Sequence, residues 1–118
     1  GASLVFTSSK AAKIVTAGNS MYAASKAAIE SFARSCAIEF ASKGIRSNAI
    51  LPGMVETPLV SEGMLSEEEM EQDKARYLLK RYGKPEEIAW AIVFLLSDAS
   101  AWITAISLDI SGGGRLVK

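Results

Sequence analysis

The sequence has no histidine, one cysteine, three prolines and no excess of charge of either sign. Each shortage excludes something. Without histidine, and with Cys36 as the one thiol, a zinc or other transition-metal site has almost no ligands to draw on, so metal chemistry is set aside. A lone cysteine forms no internal disulfide, which fits a reducing, cytoplasmic setting. Thirteen basic residues are matched by thirteen acidic ones, with no long run of one sign. The chain therefore offers no basic surface suited to nucleic acid or to an anionic membrane. The longest apolar run, Ile88 to Leu96, reaches only about half the length of a membrane-spanning helix. No signal peptide is expected, because the chain opens on a strand-like segment.

What is present is a globular pattern. Hydrophobic residues make up 49% of 118, enough for a core and too many for a disordered chain. That length is one domain or part of one. Ser3-Leu-Val-Phe-Thr-Ser8 is short, apolar and β-prone, and reads as a buried strand. A small polar loop from Ser9 to Asn19 leads to an Ala-rich helical pattern over Ser20 to Ser42. There Ala24, Ala27, Ala28, Phe32 and Cys36 recur at intervals of three and four. Lys43-Gly44 closes that helix with a favourable cation and a glycine. Ile45 to Leu51 reads as a second strand, stopped by Pro52-Gly53. Strand, long helix, strand is a βαβ unit, which implies parallel neighbours.

Beyond Thr57-Pro58 the chain turns charged and Met/Leu-studded. Residues Ser61 to Lys80 read as two short helices around Ser66-Glu-Glu-Glu69. Gly83-Lys-Pro-Glu-Glu87 opens a further helix through Ser97, with Pro85 in its first turn and carboxylates at its positive end. That helix is apolar nearly all round and should be buried on more than one side. Ala105 to Ile110 reads as a third strand, ended by Ser111-Gly-Gly-Gly114. Three strands and two long helices make a poor free-standing α/β domain, since parallel sheets need cover on both faces. The expected architecture is the C-terminal part of an α/β, doubly wound parallel-sheet domain of the Rossmann-like kind.

The chemistry centres on Tyr22 and Lys26. Four residues apart on a helix, phenol and ammonium share one face about one turn apart. A fixed cation near a phenol favours the phenolate, which moves tyrosine towards useful proton transfer. Such a pair also occurs by chance on solvated helix faces. Ser8 and Ser9 can be strand-end caps, and Pro52-Gly53 is a good generic strand terminator. Asn48 reads as a structural hydrogen-bonder, and the Glu67 to Glu69 run as a solvated helix start. Met54, Leu59, Met64, Leu65 and Met70 fit either a substrate pocket or the ordinary core of short helices.

The order of these elements carries more than any one of them. Ser9 lies thirteen residues before Tyr22, in Tyr22-Ala-Ala-Ser-Lys26. Asn48-Ala-Ile-Leu-Pro-Gly-Met-Val-Glu-Thr-Pro58 and Arg81-Tyr-Gly-Lys-Pro-Glu-Glu-Ile-Ala89 follow. Together they resemble the short-chain dehydrogenase/reductase family over essentially the whole chain. The Tyr-to-Lys interval argues against the family's acyl-carrier-protein enoyl reductases, which use a longer one. The resemblance implies an NAD- or NADP-dependent oxidoreductase that interconverts a carbonyl and a secondary alcohol. Tyr22 would be the general acid or base. Lys26 would lower the Tyr22 pKa and hold the nicotinamide ribose, and Ser9 would position the substrate oxygen. Pro52, Gly53, Val55 and Thr57 would hold the nicotinamide end of the cofactor. Family members are commonly homodimers or homotetramers built on their long helices and last helix–strand unit.

Departures from the family pattern bound this reading. No Gly-x-x-x-Gly-x-Gly occurs, and Gly112-Gly-Gly follows a strand instead of opening a helix. The adenosine-side cofactor site and the family's catalytic asparagine are expected upstream of Gly1. Ala105 and Ser111 stand where glycine and aspartate are more usual. The competing expectation is a truncated, catalytically inactive fragment, or a structural relative of the family.

Overall fold

The computed structural model describes residues 1–13, 17–58, 63 and 65–114. Its elements are β1 (Ala2–Thr7), α1 (Ser20–Phe40), β2 (Ile45–Pro52), α2 (Glu67–Lys74), α3 (Pro85–Leu96) and β3 (Ser107–Ile110). The strands form one parallel sheet in the order β1-β2-β3. Ala2 to Thr7 pair with Ile45 to Ile50, and Ala49 to Pro52 pair with Ser107 to Ile110. The central strand has no free edge and runs as an unbroken buried stretch from Ser47 to Leu51, as expected of a strand covered on both faces.

Alternation along β1 shows which helix covers which face. Ser3 Oγ donates to the carbonyl of Leu95 in α3 at 2.7 Å. Phe6 meets Phe32 of α1 edge to face, with ring centroids 5.6 Å apart. Residues of opposite parity on a strand point to opposite faces, so α1 and α3 cover opposite sides. The sheet is doubly wound, as expected of a parallel sheet that needs cover on both faces. Arg46 strengthens the α3 side: its guanidinium donates to Ser100 Oγ and to the carbonyls of Ile103 and Ser97 at 3.0–3.1 Å. Asn48, fully buried, donates to the Ile103 carbonyl and accepts from the Ile106 amide. That is the structural role expected of it.

Several boundaries and faces differ from the sequence pattern. Helix α1 stops at Phe40 and tightens into a 3₁₀ turn over Ala41–Lys43, which Gly44 ends at φ 72°. That left-handed backbone suits glycine. The face of α1 turned to the sheet carries Ala23, Ala33, Cys36 and Ala37, whereas Ala24, Ala27, Ala28 and Phe32 are exposed. Alanines occur all round this helix, so their spacing alone does not define the buried stripe. Over residues 61–80 the described portion contains one helix, α2. Ser66 Oγ accepts from the Glu69 amide, and the Glu69 carboxylate accepts from the Ser66 amide. This capping box leaves Glu67 to Glu69 exposed, as expected. Leu59 and Met64 lie outside the described residues.

Helix α3 departs most from expectation. It buries Leu95 alone, while Trp90, Val93, Phe94 and Leu96 are exposed. One side packs on β1 and β2, and the 3₁₀ turn over Asp98–Ser100 contacts the helix as well. The third strand starts at Ser107 instead of Ala105. Ala105 takes φ 63° and its amide donates to the Ser47 carbonyl at 2.8 Å, a left-handed kink that delays the strand.

Candidate active site

Parallel strands end at one edge of the sheet, and three of the segments singled out in the sequence leave from that edge. Ser8-Ser9 follow β1, Pro52-Gly53 end β2, and Ser111-Gly-Gly-Gly114 follow β3. Helix α1 begins there too, because it starts the return crossover. A cleft of about 570 Å³ opens between them, lined by Ser9, Tyr22, Pro52, Gly53, Met54 and Tyr77, among others. Its position beyond the carboxyl ends of the strands is where open α/β sheets bind ligands.

Each side chain has a local reason for its place. The Ser8 amide continues the β1–β2 ladder by donating to the Ile50 carbonyl at 2.8 Å. Its hydroxyl donates to the Lys26 carbonyl at 2.7 Å. Those two bonds tie the end of β1 to β2 and to the second turn of α1. Ser9 is the N-cap of a 3₁₀ turn over Lys10–Ala12, its Oγ accepting from the Ala11 amide at 3.2 Å. A hydroxyl that accepts one bond still has its own proton to donate. The capping reading and the substrate-positioning reading of Ser9 are therefore compatible.

Tyr22 sits in the first turn of α1, 47% exposed, and lines the cleft. The Lys26 ammonium lies 5.6 Å from the centre of its ring, the separation at which a cation and an aromatic attract. Pro52 and Gly53 form the floor. The Gly53 amide donates to the Ile110 carbonyl at 3.0 Å, and a Cβ there would stand 2.8 Å from Ser111 Cβ. Only glycine lets the floor and the turn after β3 approach so closely. Val55 and Thr57 are not among the lining residues. Val55 forms an isolated parallel bridge to Gly83, in which the Glu56 amide and the Met54 carbonyl make the bonds. Alternation then turns Val55's own amide to the other side of the strand. Thr57 is exposed.

The structure adds residues that sequence reasoning did not single out for the site: Lys10, Ala11, Asn19, Tyr77 and Gly114. Tyr77 is buried, and its hydroxyl accepts from the Met54 amide at 3.2 Å. It packs edge to face on Tyr82, with Met54 and Met70 against the pair. Met54 thus serves both core and cleft. Tyr82 is a different kind of tyrosine. Burial first, then the bond its hydroxyl donates to Asp73 Oδ2 at 2.8 Å, raise its pKa well above the ordinary tyrosine range. A smaller hollow of about 270 Å³ lies beyond Met54 and the Ser111 turn. There Arg81 holds Glu87 bidentately at 2.6 and 2.7 Å. That bond, with one from the Lys84 amide, lowers the Glu87 carboxyl to about 2.

The comparisons with known proteins agree with this geometry. A family model described as enoyl-(acyl carrier protein) reductase matches residues 1–114. The chain is 43% identical over 96 residues to a 3-oxoacyl-(acyl-carrier-protein) reductase of Thermotoga maritima, covering 81% of this chain and 38% of that protein. It is 37% identical over 113 residues to an L-rhamnose 1-dehydrogenase (NAD(P)(+)) of Azotobacter vinelandii, covering 96% of this chain and 44% of that one. A solved short-chain type dehydrogenase/reductase from Mycobacterium ulcerans superimposes with a TM-score of 0.92 at 33% identity, covering all of this chain and 43% of that one. A parallel, doubly wound sheet with a cleft at its carboxyl edge defines the class as a Rossmann-type α/β fold. The chain belongs to the short-chain dehydrogenase/reductase family. It spans about two fifths of the length of these relatives. Among the described residues no helix is long and apolar enough to cross a membrane.

Proposed function

We propose that this chain supplies the proton-transfer and nicotinamide side of an NAD- or NADP-dependent oxidoreductase that interconverts a carbonyl and a secondary alcohol. The observation that carries the reading is the meeting of Ser9, Tyr22, Pro52 and Gly53 on one cleft, with the Lys26 ammonium beside the Tyr22 ring. The cleft residues fit the nicotinamide end of a dinucleotide: a floor without side chain at Gly53, flanked by an amide at Val55 that faces away from Gly83. Bound there, the cofactor would supply the hydride.

This chain's residues would do the rest. Ser9 would donate a hydrogen bond from its hydroxyl to the substrate oxygen and hold it near Tyr22, keeping its own proton. Tyr22 would give its proton to that oxygen during reduction and take it back during oxidation. Lys26, one helical turn on, would stabilise the phenolate left behind and hydrogen-bond the ribose. Thr57 would reach the carboxamide or a nearby phosphate with its hydroxyl. The four-residue interval between Tyr22 and Lys26 supports carbonyl chemistry over enoyl reduction, as do the names of the Thermotoga and Azotobacter relatives. The adenosine half of the cofactor would be held by residues outside this sequence, which has no Gly-x-x-x-Gly-x-Gly. The exposed apolar side of α3 and the open edge of β3 support assembly into a homodimer or homotetramer, and the lone cysteine supports a cytoplasmic setting.

Replacing Tyr22 by Phe in the full-length protein tests the assignment. Turnover of a 3-oxo ester with NADH or NADPH should fall by roughly two to four orders of magnitude, with an unchanged circular dichroism spectrum. Turnover at the parent level would overturn it. A second reading rests on the share of the relatives that the chain spans: the 118 residues alone are a non-enzymatic piece. Titrating the purified chain with NADH and NADPH separates the two, and tight saturable binding contradicts the second.

A further inference from the structure

Lys10 and Asp109 carry opposite charges on opposite sides of the sheet, one just past the outer strand β1 and the other in the outer strand β3. Lys10 begins the turn that Ser9 caps, just past β1, and Asp109 lies in β3, with β2 between them. Two strand spacings, roughly 10 Å, separate such positions, so the lysine must extend across the end of β2 to reach. It does so: its ammonium is paired with Asp109 Oδ2. The lysine side chain is only 12% exposed in that posture. The second carboxylate oxygen, Asp109 Oδ1, accepts the Ser111 hydroxyl proton. Ser111 Oγ in turn accepts the Gly114 amide at 3.2 Å.

Both ends of this chain of contacts are walls of the cleft. At one end Lys10 is bonded covalently to Ser9, and both line it. At the other, Gly114 lines it and stands so close to the Tyr77 ring that a Cβ there would lie 2.5 Å from Cε1. Ser111 also presses on Gly53 of the floor. An exposed ion pair contributes little to stability. Here, however, the charges join two segments that the backbone connects only through the whole of the chain between them, and both segments shape the site.

We propose that Lys10 and Asp109 are positioning residues, an ionic clasp that sets the place of the Ser9 hydroxyl and of the Ser111–Gly114 wall. The proposal rests on the reading of Ser9 and Tyr22 as the reacting pair. The clasp also neutralises the one lysine that lines the cleft among the described residues. Breaking it from either side frees the same two walls, so the two losses should not add.

The test uses Lys10→Met, Asp109→Asn, the double variant and Lys10→Arg in the full-length protein, with two readouts. Hydrogen–deuterium exchange of residues 107–113 reports the clasp without any activity. Turnover of ethyl acetoacetate with NADH or NADPH reports its effect on the site. Each of the first two variants should speed exchange and lower kcat by roughly tenfold or more, with KM for the nucleotide unchanged. The double variant should match the singles, and Lys10→Arg should retain parent behaviour. Unchanged exchange, faster exchange with parent kcat, or additive losses in the double variant would each overturn the proposal. If the parent protein turns over no carbonyl, the reading of Tyr22 fails by itself, and exchange still decides whether the clasp exists.

Discussion

The Ser8 hydroxyl donates to the carbonyl oxygen of Lys26 across 2.7 Å. One bond thereby links the residue before Ser9 to the residue one turn beyond Tyr22. The three groups assigned to proton transfer sit on two different elements, and this contact holds the elements in one relation. Ser8 is 3% exposed, so its hydroxyl has little water to return to if the bond breaks.

Removing that hydroxyl should therefore cost stability and geometry together. Ser8→Ala leaves the Lys26 carbonyl with its helical partner, so the loss is about 1 kcal/mol in urea denaturation. Turnover should fall as well, but less than in Ser9→Ala, because the positioning hydroxyl itself remains. An unchanged denaturation midpoint would show that the contact does not matter.

Ala105 holds φ 63° where its Cβ is unwelcome. The left-handed region costs an L-residue about 1–2 kcal/mol, partly offset by the greater freedom glycine has when unfolded. Ala105→Gly should raise stability by about 0.5–1 kcal/mol, read as a higher melting temperature. Ala105→Val should lower it.

Acid stability should carry the signature of Glu87. The Arg81 guanidinium, and then the Lys84 amide, lower its carboxyl from 4.5 to about 2 in the folded state. A lowered acid stabilises the fold fully above its unfolded pKa, and that contribution is lost as pH falls towards the folded value. Denaturation midpoints measured from neutral pH downwards should therefore drop through the range from 4.5 to about 2. Glu87→Gln should flatten that part of the curve, and a parallel curve would contradict the assignment.

Much of this molecule is legible along the chain. The strands follow from short β-prone apolar runs, and α2 from a Ser66–Glu69 capping box. The three positions where strands hand over to loops are marked by Ser8-Ser9, Pro52-Gly53 and Ser111-Gly112. Helix faces are less legible. Glu30 is buried in α1, its carboxylate 3.4 Å from Lys13 Nζ, though a charged residue in a helix normally faces water. Trp90 and Phe94 face outward from α3, though large apolar side chains normally face inward. For Glu30 the neighbour decides, and a neighbour on another segment leaves no trace in local periodicity.

The sequence by itself determined the order of elements, the Tyr22–Lys26 pairing and the family resemblance, since those depend on spacing within a helix or on contiguous motifs. The tertiary structure decided which groups share the cleft. Tyr77 and Gly114 reach it from segments far from Ser9, and Lys10 meets Asp109 across 99 positions of sequence. They meet because parallel strands all end at the same edge, so the loops that follow them are gathered there whatever their separation along the chain.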